Sequence, residues 1–530
     1  MENFDYIVVG AGSAGCALSA RLTSAGKHVL LLEAGPADNH PYIHIPGTFI
    51  RVHGSKRTWM YRTEPEPFVN QRQVYIPQGR TLGGGSSVNA MIYIRGQAED
   101  YDHWQASGCP GWGWQDVLPV FRRCESNTRL SGLLHGQEGP LKVSDPRHRH
   151  PLSQAFVQAA VEAGIPETDD FNGVRQEGAG FYQTTTSQGR RASSSVTYLR
   201  PLRNNPKLKV LTDTHVTQLL FDAGRVVGVQ ALGREGVAIK FSARAEVIIS
   251  AGAIASPKLL MLSGIGPQSH LQAMGIPTRF HSPGVGENFQ DHLSASVYAQ
   301  TRRPVSLLGH DRGLLALGHG LKYLANRSGL LSSNVVESGA FVDATGCGRP
   351  DVQFHVVPAL VGDIDRLPPG GHGISVNPCV LRPRSRGRLR LTNADPMAEV
   401  SLKANYLSDE YDLRTLVAGV KFARRILRAP AMASLVENML LLPDHDDVSD
   451  QVFEDYVRSV AKTVFHPVGT CRMGLDANAV VGPDLRVHGI RGLRVADASI
   501  MPTIVSGNTN APSIMIGERC ADFILGYAIA

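Results

Sequence analysis

The sequence lacks the features that mark several classes of protein. No hydrophobic run reaches the ~18 residues that a membrane-spanning helix needs, so we expect none. The N-terminus has no basic segment leading into an apolar one, so no signal peptide is predicted. The seven cysteines include no Cys-x-x-Cys pair, which argues against both a metal site and a disulfide framework. A reducing cytoplasm is therefore the expected location.

A strong charge of one sign is also lacking. The chain has 53 Lys and Arg against 47 Asp and Glu, and most of the basic residues are scattered. So mild an excess does not indicate nucleic-acid binding, and no nucleic-acid partner is expected. With 530 residues, 42% of them hydrophobic, the composition is that of an ordinary globular protein of two or more domains.

The first informative segment is the N-terminal glycine fingerprint. Residues 6–9 predict a buried strand, and a helix-forming run follows Gly15. Between them, Gly10, Gly12 and Gly15 form Gly-x-Gly-x-x-Gly. The first glycine allows a tight turn, the second lets the backbone approach a pyrophosphate, and the third lets the helix pack on the strand. The helix N-terminus would then favour the phosphates of a dinucleotide.

An acid completes this fingerprint. Glu33 ends a second predicted strand, 18 residues after Gly15. A carboxylate there can accept hydrogen bonds from a ribose diol, which favours FAD or NAD over NADP. The alternative is a glycine-rich turn in some other α/β domain. The strand, the helix and the acid together favour the dinucleotide.

A second glycine-rich segment spans residues 80–95, with three consecutive glycines at 83–85. Such a run permits close approach of the backbone to a ligand. Ser86 and Ser87 can cap a following helix or donate to a phosphate. The structural alternative is a flexible loop that precedes a structural helix.

The middle of the chain predicts further elements of an α/β protein. Residues 209–211, 216–221, 226–232 and 239–241 alternate like the strands of a small β-meander. Residues 246–250 predict a buried strand that runs into a second glycine-containing helix start near Ala251. Residues 36–74 look irregular.

One segment, 304–334, is rich in leucine and interrupted by glycine, with helical periodicity over 314–324. The pattern leaves open a core helix, the wall of a substrate tunnel, a dimer surface and a helix at a membrane interface.

The C-terminal part holds the last dense motifs. His466 begins His-Pro-Val-Gly-Thr-Cys-Arg-Met-Gly. A predicted strand ends at Asp497, and residues 507–512 read Gly-Asn-Thr-Asn-Ala-Pro before a terminal helix.

Taken together, these blocks resemble the glucose–methanol–choline (GMC) family of FAD-dependent alcohol oxidoreductases over essentially the whole chain. The resemblance rests on the fingerprint with Glu33 and on segments 79–89, 252–266, 286–292, 466–474 and 497–512. Within the family, the chain is most similar to bacterial choline-dehydrogenase-like alcohol dehydrogenases.

The resemblance implies an α/β fold of two interleaved domains. Residues 1–150, 195–300 and 460–530 would form a Rossmann-like FAD-binding domain with a parallel sheet and a small meander. Residues 151–194 and 301–459 would form an α+β substrate domain built on an antiparallel sheet.

The resemblance also implies the FAD site. With the fingerprint glycines, Ser13, Ala14, Glu33, Ala34 and the backbone of Val216 would hold the ADP half. The pyrophosphate, ribitol and flavin would lie along Arg80, Leu82, Gly85, Ser86, Asn89, Ala90, Met91, Ala251, Asp497, Ala498, Asn508, Thr509, Asn510 and Pro512. Some members attach FAD through a histidine after the Ser-Ser pair. Because Val88 occupies that position, FAD is expected to bind non-covalently.

Two residues match the family's catalytic pair. His466 matches the catalytic histidine, whose ordinary pKa near 6.5 suits it to take the proton of an alcohol. Asn510 matches its partner, which would orient the hydroxyl through an amide. Glu337 falls near where choline-type members place a carboxylate that faces the substrate. A structural role for this acid is the alternative.

The leading hypothesis is therefore FAD-dependent oxidation of an aliphatic, polyether or aromatic primary alcohol to the aldehyde. Electrons would pass to a quinone or another non-oxygen acceptor. The alternatives are an oxidase that uses O2 and releases H2O2, a lyase of the same family, and a non-catalytic FAD-binding protein. Homodimerisation and peripheral contact with the inner membrane stay open.

Overall fold

The structure is a computed structural model, and it describes residues 3–363, 366–443, 445 and 447–527 of the chain. Its strands form two large sheets, one mainly parallel and one antiparallel, and helices pack on both. The predicted α/β fold with these two kinds of sheet is confirmed.

The parallel sheet has the first strand near its centre. Residues 7–9 of that strand are apolar, β-branched and buried on both faces, which is typical of a strand inside a parallel sheet. The strand order is Leu208–Leu211, Val29–Leu32, Asn3–Val9, Ala238–Ile249, Arg225–Leu232 and His215–Asp222, with Leu493–Val495 also beside Ala238–Ile249. The parallel strands share one carboxyl edge, which is where α/β sheets bind their ligands.

The β-meander differs in part from its prediction. The segments 239–241 and 246–250 belong to a single strand, Ala238–Ile249. Its first half pairs antiparallel with Arg225–Leu232, and its later half runs parallel to the first strand. The strand Leu208–Leu211 joins the edge of the parallel sheet instead of the meander. Alternation along the chain cannot distinguish these pairings, because both place side chains on opposite faces.

Two helices, Pro151–Glu162 and Glu410–Arg428, pack against strands of the antiparallel sheet and against each other. The strand order is Val436–Leu440, Val297–Thr301, Gly373–Val380, Val352–Val357, Ser338–Val342 and Gly178–Phe181, and Leu293–Ser294 links Gly373–Val380 to Lys462–Thr463. Some of these strands come from segments that the sequence assigned to the cofactor domain. The division into two domains stays a prediction.

The helices of the described residues are Ser13–Ser24, Pro41–His44, Ala98–Ala106, Trp114–Cys124, Pro151–Glu162, Gly252–Leu262, Gln268–Ala273, Gly313–Asn326, Glu410–Arg428, Pro430–Ala433, Asp450–Val460 and Asn510–Leu525. We refer to Ser13–Ser24 as the first helix, Gly252–Leu262 as the central helix, Gly313–Asn326 as the leucine helix and Asn510–Leu525 as the terminal helix. The first and terminal helices pack closely on each other.

The segment 36–74 is more regular than the sequence predicts. It holds the short helix Pro41–His44 and the strand Thr58–Arg62, which pairs antiparallel with Tyr75–Gly79. The remaining strands form short pairs: Glu125–Asn127 with Leu141–Val143, Thr186–Ser187 with Arg190–Arg191, Ile265–Gly266 with Phe280–His281, and Arg388–Leu391 with Val400–Lys403.

The leucine helix lies on the surface. Tyr323 is its one buried residue, and its leucines are exposed. The interpretation of this segment as a core helix is therefore wrong. Within the described ranges, no helix combines the length and the apolar character needed to cross a membrane.

Candidate active site

A cavity of about 1200 Å3 extends from the carboxyl edge of the parallel sheet to the antiparallel sheet. Gly10 and Leu32 line one end of it, and His355 and Asn377, from two strands of the antiparallel sheet, line another part. This volume exceeds the ~300–1,000 Å3 of a typical small-molecule site, so it suits an extended ligand.

Most of the predicted site residues line this cavity. They are Gly10, Gly12, Ser13, Ala14, Glu33, Ala34, Gly85, Asn89, Ala90, Met91, Val216, Ala251, His466, Asp497, Ala498, Asn508, Thr509 and Asn510. These residues come from distant parts of the sequence, and the fold brings them to one space.

Five predicted residues lie outside the lining: Gly15, Arg80, Leu82, Ser86 and Pro512. Gly15 packs against the turn, since a Cβ there would come within 2.0 Å of the Gly10 carbonyl oxygen. The Arg80 guanidinium lies 4.4 Å from the centre of the Trp59 ring. The hydroxyl of Ser86 donates to the carbonyl of Gly83 at 2.6 Å and accepts the N–H of Ser194 at 3.0 Å. These residues shape the walls instead.

The fingerprint turn leaves room for a ligand beside the first helix. Gly10 has a φ of 101°, which favours glycine, and a Cβ on it would meet the Ser250 carbonyl oxygen at 2.4 Å. A Cβ on Gly12 would have no neighbour closer than 3.9 Å. Gly12 is the N-cap of the first helix and provides no side-chain cap. The first N–H groups of that helix are therefore available to an anion at the cavity wall.

The second glycine-rich segment packs on this turn. A Cβ on Gly84 would lie 2.6 Å from the Cα of Gly12, so the two loops touch through their backbones. The next glycine, Gly85, lines the cavity and has open space where a Cβ would stand. A ligand can therefore approach the backbone at both Gly12 and Gly85.

Glu33 lies at the same end and organises the turn. Its Oε2 accepts the N–H of Ala11 and its Oε1 accepts the N–H of Gly35, each at 2.9 Å. Burial raises the pKa of this carboxyl to about 7, against the effect of the two backbone donors. Each oxygen keeps a second lone pair for a ribose hydroxyl. The turn, the free helix start and this acid fit the ADP half of a dinucleotide.

The start of the central helix, at Gly252, lines the same cavity. Asp497 accepts the N–H of Gly252 at 2.9 Å and the hydroxyl of Ser256 at 2.6 Å through Oδ2. Its Oδ1 accepts the N–H of Ser499 at 2.8 Å. The carboxylate thus caps the central helix and holds the C-terminal segment beside it.

At the other end of the cavity, His466 belongs to a defined hydrogen-bond chain. His292 Nε2 lies 2.9 Å from the carbonyl oxygen of Leu381, which can only accept, so this nitrogen carries the proton. Burial lowers the pKa of His292 to about 4, so the ring is neutral and its Nδ1 accepts. His466 Nδ1, 3.0 Å away, is then the donor.

This chain determines which atom of His466 is basic. Burial, followed by the nearby His292 and His355, holds the pKa of His466 well below its ordinary value. A neutral imidazole that donates from Nδ1 has its lone pair on Nε2. The Nδ2 of Asn508 lies 3.3 Å from that Nε2 and donates to it.

The amide that contacts His466 is that of Asn508, whereas the predicted role of Asn510 towards the alcohol stays a prediction. The side chain of Asn508 is oriented by Gln353, whose Nε2 donates to Oδ1 at 3.1 Å. Asn510 is the first residue of the terminal helix, and its Oδ1 accepts the hydroxyl of Ser13 at 2.8 Å. The two asparagines are two positions apart, and the helix start between them directs their side chains to different partners.

Two residues without a predicted role, Asp291 and His292, position the segment that contains His466. Asp291 Oδ1 accepts the backbone N–H of His466 at 2.8 Å, and Oδ2 accepts the hydroxyls of Thr463 and Tyr406. Burial raises the pKa of Asp291 to about 6. Both residues lie in segment 286–292, so the motif was visible in the sequence, although its roles were not.

The wall near His466 is mostly apolar. Ile92, Val336 and Val357 pack in one cluster and line the cavity, as does Phe465. Phe465 has a φ of 68°, an uncommon conformation for a bulky residue, immediately before His466. Polar and charged residues line the cavity as well, among them His355, Asn377, Lys462 and Asp363.

Glu337 does not line this cavity, contrary to its interpretation as a carboxylate that faces the substrate. It is buried and accepts hydrogen bonds from the hydroxyl of Ser333 and the N–H of His150, and it lies 2.8 Å from His148 Nδ1. These contacts support the structural alternative.

Comparisons with known proteins agree with this geometry. The family models described as GMC oxidoreductase match residues 4–294 and 383–517. The chain is 44% identical to the "Alcohol dehydrogenase [acceptor]" of Pseudomonas putida, with 98% of this chain and 96% of that protein covered. It is 41% identical to the mitochondrial choline dehydrogenase of Homo sapiens, with 99% and 90% covered.

Solved structures show the same fold. Pyridoxine 4-oxidase from Mesorbium loti superposes with a TM-score of 0.90 at 29% identity, covering 99% of this chain and 100% of that one. A formate oxidase of Aspergillus oryzae RIB40 superposes with a TM-score of 0.91 at 27% identity, covering 99% and 98%. With the family models matching at both ends and relatives aligned over nearly its full length, the chain belongs to the GMC oxidoreductases, a family of FAD-binding flavoproteins.

Proposed function

We propose that this protein oxidises a neutral primary alcohol to the aldehyde and passes the electrons to a quinone or another non-oxygen acceptor. The observation that carries the proposal is the lone pair on His466 Nε2, which faces the amide of Asn508 in a largely apolar part of the cavity. This arrangement offers a base and a hydrogen-bond donor to a single hydroxyl group.

FAD would be held non-covalently. The fingerprint turn, the start of the first helix and Glu33 would hold its ADP half, and Gly85 and the residues after it would lie along the rest. Val88 lines the cavity and has no nucleophilic atom to attach a flavin. FAD, when bound, supplies the hydride acceptor of the reaction.

The residues of this chain manage the proton. The alcohol hydroxyl would donate to His466 Nε2, which takes the proton as the carbinol hydride leaves. The hydroxyl would replace Asn508 at that lone pair, and the Asn508 amide would donate to the alcohol oxygen instead and stabilise the charge that develops there. His292 accepts from Nδ1 and so keeps the other nitrogen basic. The imidazolium formed would return the proton to solvent or acceptor later in the cycle.

The surroundings of His466 support a neutral substrate. Apart from burial, the groups that shift its pKa are His292 and His355, and no carboxylate is among them. Glu337 is held elsewhere by its own hydrogen bonds. Among the described residues, Asp291 is a carboxylate in contact with His466, and its oxygens are occupied by the backbone N–H of His466 and by two hydroxyls. The apolar wall suits the chain of an aliphatic, polyether or aromatic alcohol.

A panel of substrates tests this reaction. The flavin of the purified protein is expected to bleach anaerobically with medium-chain alkanols, benzylic alcohols or polyether diols, and much less with choline. Bleaching by choline alone would overturn the choice of a neutral substrate. A yellow protein that none of these alcohols bleaches would favour the non-catalytic alternative.

The second candidate is an oxidase on the same fold, which the oxidases among the structural relatives favour. Turnover under air with a quinone analogue present separates the two. A dehydrogenase reduces the quinone with little peroxide, whereas an oxidase yields one H2O2 per aldehyde.

A further inference from the structure

The leucine helix presents an apolar face that no other part of the described structure covers. Leu314, Leu315, Leu317, Leu321 and Leu324 are 86%, 55%, 58%, 59% and 71% exposed. A folded monomer exposes single leucines often, but a row of five on one helix marks an interaction surface.

Helical geometry places four of these leucines together. Positions 314, 317, 321 and 324 are three or four residues apart, so their side chains follow one face. Tyr323 lies on the opposite face, where it is buried and its hydroxyl donates to the carbonyl of Gly189 at 2.9 Å. The helix is therefore held to the protein from one side and directs its leucines outward.

Cations are frequent along this segment of the sequence, and Arg312, at the start of the helix, is exposed. Segment 302–327 contains Arg302, Arg303, Arg312, Lys322 and Arg327, and Asp311 is its one acid. Asp311 is partnered by Arg51, whose Nη2 lies 3.4 Å from its carboxylate, and by Arg312 at 3.7 Å. An apolar helix face with a cationic margin is the pattern of a helix that lies in the interface of an anionic bilayer.

The leucine helix is also close to the mouth of the cavity. Ile50 is 57% exposed and lines the cavity, and the next residue, Arg51, forms the ion pair with Asp311 just before the helix. The segment Pro46–Val52 further contacts Leu330–Ser332, which packs against the leucine helix. The leucine helix therefore lies beside the segment that carries Ile50 at the opening of the site.

We propose that the leucine helix docks the protein on an anionic phospholipid surface, with the cavity opening towards the bilayer. A second copy of this chain fits less well. A twofold interface would set identical surfaces against each other and bring the cations of the margin together, with a single acid per chain to offset them. The docking itself does not depend on the proposed reaction.

Co-flotation with vesicles tests the proposal on the flavin-loaded protein. Binding is expected on phosphatidylcholine vesicles that contain about 30% phosphatidylglycerol and to weaken as salt screens the charges. The triple variant Leu314→Gln/Leu317→Gln/Leu321→Gln should lower the partition coefficient at least about tenfold, because three apolar side chains no longer enter the bilayer.

The matched control substitutes three exposed apolar residues elsewhere, Leu133→Gln/Val174→Gln/Leu475→Gln, and is expected to bind like the parent protein. A charge variant, Arg302→Gln/Arg303→Gln/Arg312→Gln, should lose most of the dependence on phosphatidylglycerol.

Three results would overturn the proposal. They are a parent protein that does not float with the anionic vesicles, a control that loses binding as much as the leucine variant, and a leucine variant whose sole change is from dimer to monomer in sedimentation. Flavin bleaching by a water-soluble alcohol is measured on every variant. Since it reports the reaction independently of lipid, failure of the docking and failure of the proposed function are distinguishable.

Discussion

The Nδ1 atoms of His292 and His466 lie 3.0 Å apart. The other ring nitrogen of His292, Nε2, donates to the backbone carbonyl of Leu381. Two imidazoles that meet through the same type of nitrogen must differ in protonation, because one must donate and the other accept. The carbonyl of Leu381 decides which one accepts. The Leu381 carbonyl thereby determines, through His292, which nitrogen of the proposed catalytic histidine is basic.

Replacing His292 tests this positioning role. His292→Phe keeps a ring but removes the acceptor, so His466 is free to adopt the other tautomer. We expect kcat/KM to fall by roughly 10- to 100-fold, the size of loss typical of a residue that orients a catalytic group. His292→Asn, whose amide oxygen can accept from His466 Nδ1, should recover part of the lost kcat/KM. A merely structural role would instead lower flavin content and thermal stability in both variants alike.

Removing the proposed base has a larger expected effect. His466→Ala should lower kcat by about two to four decades while the flavin spectrum stays that of the parent protein. The loss is expected in the rate of anaerobic flavin bleaching, which reports the chemical step. His148→Ala, a change at a histidine that does not line the cavity, is the control. Near-normal bleaching by His466→Ala would remove the residue from the mechanism.

Substitutions of the two asparagines are expected to have different effects. Asn508→Ala removes the donor beside His466 Nε2 and should lower kcat/KM about 10- to 100-fold with flavin retained. Asn510→Ala breaks the hydrogen bond with Ser13 at the start of the first helix. Its main expected effect is weaker retention of FAD, measured by flavin release on dilution. The reverse pattern would support Asn510 as the partner of His466.

The pH dependence follows from the direction of one pKa shift. Burial, with His292 and His355 nearby, lowers the pKa of His466 well below its ordinary value. The base is active when neutral, so its activity is lost only when pH falls through that lowered pKa. The acid limb of kcat/KM is therefore expected below pH ~6.5, the value for an unperturbed histidine. An acid limb above that pH would contradict the neutral, buried state of His466.

Local sequence predicted the conformation of the fingerprint turn well. The turn through Gly10, Gly12 and Gly15 depends on backbone conformation and close packing within a few residues. Such constraints are written in the residue types themselves. Glu33 was found for the same reason, since it ends the next strand of the same unit. The contacts of Ala11 and Gly35 with its carboxylate were not foreseen, because they arise when the turn folds over the strand end.

The catalytic end was predicted less completely. Its candidate histidine came from a motif, but the contact between Asn508 and His466 was not foreseen. Motif spacing does not state where the terminal helix begins, and that start directs Asn508 to His466 and Asn510 to Ser13. The acid Glu337 was considered near the substrate, but contacts with Ser333, His148 and His150 hold it outside the cavity lining.

The sequence by itself determined the family, the cofactor fingerprint and the identity of the candidate base, since each depends on a short run of residues with a local conformational reason. Tertiary structure alone decided which nitrogen of His466 is basic and which amide meets it. It also decided that the leucine helix faces outward. These properties depend on contacts between segments that are far apart in the sequence, such as His292 with His466, which are 174 residues apart. No local pattern encodes a hydrogen-bond partner that folding brings from so far away.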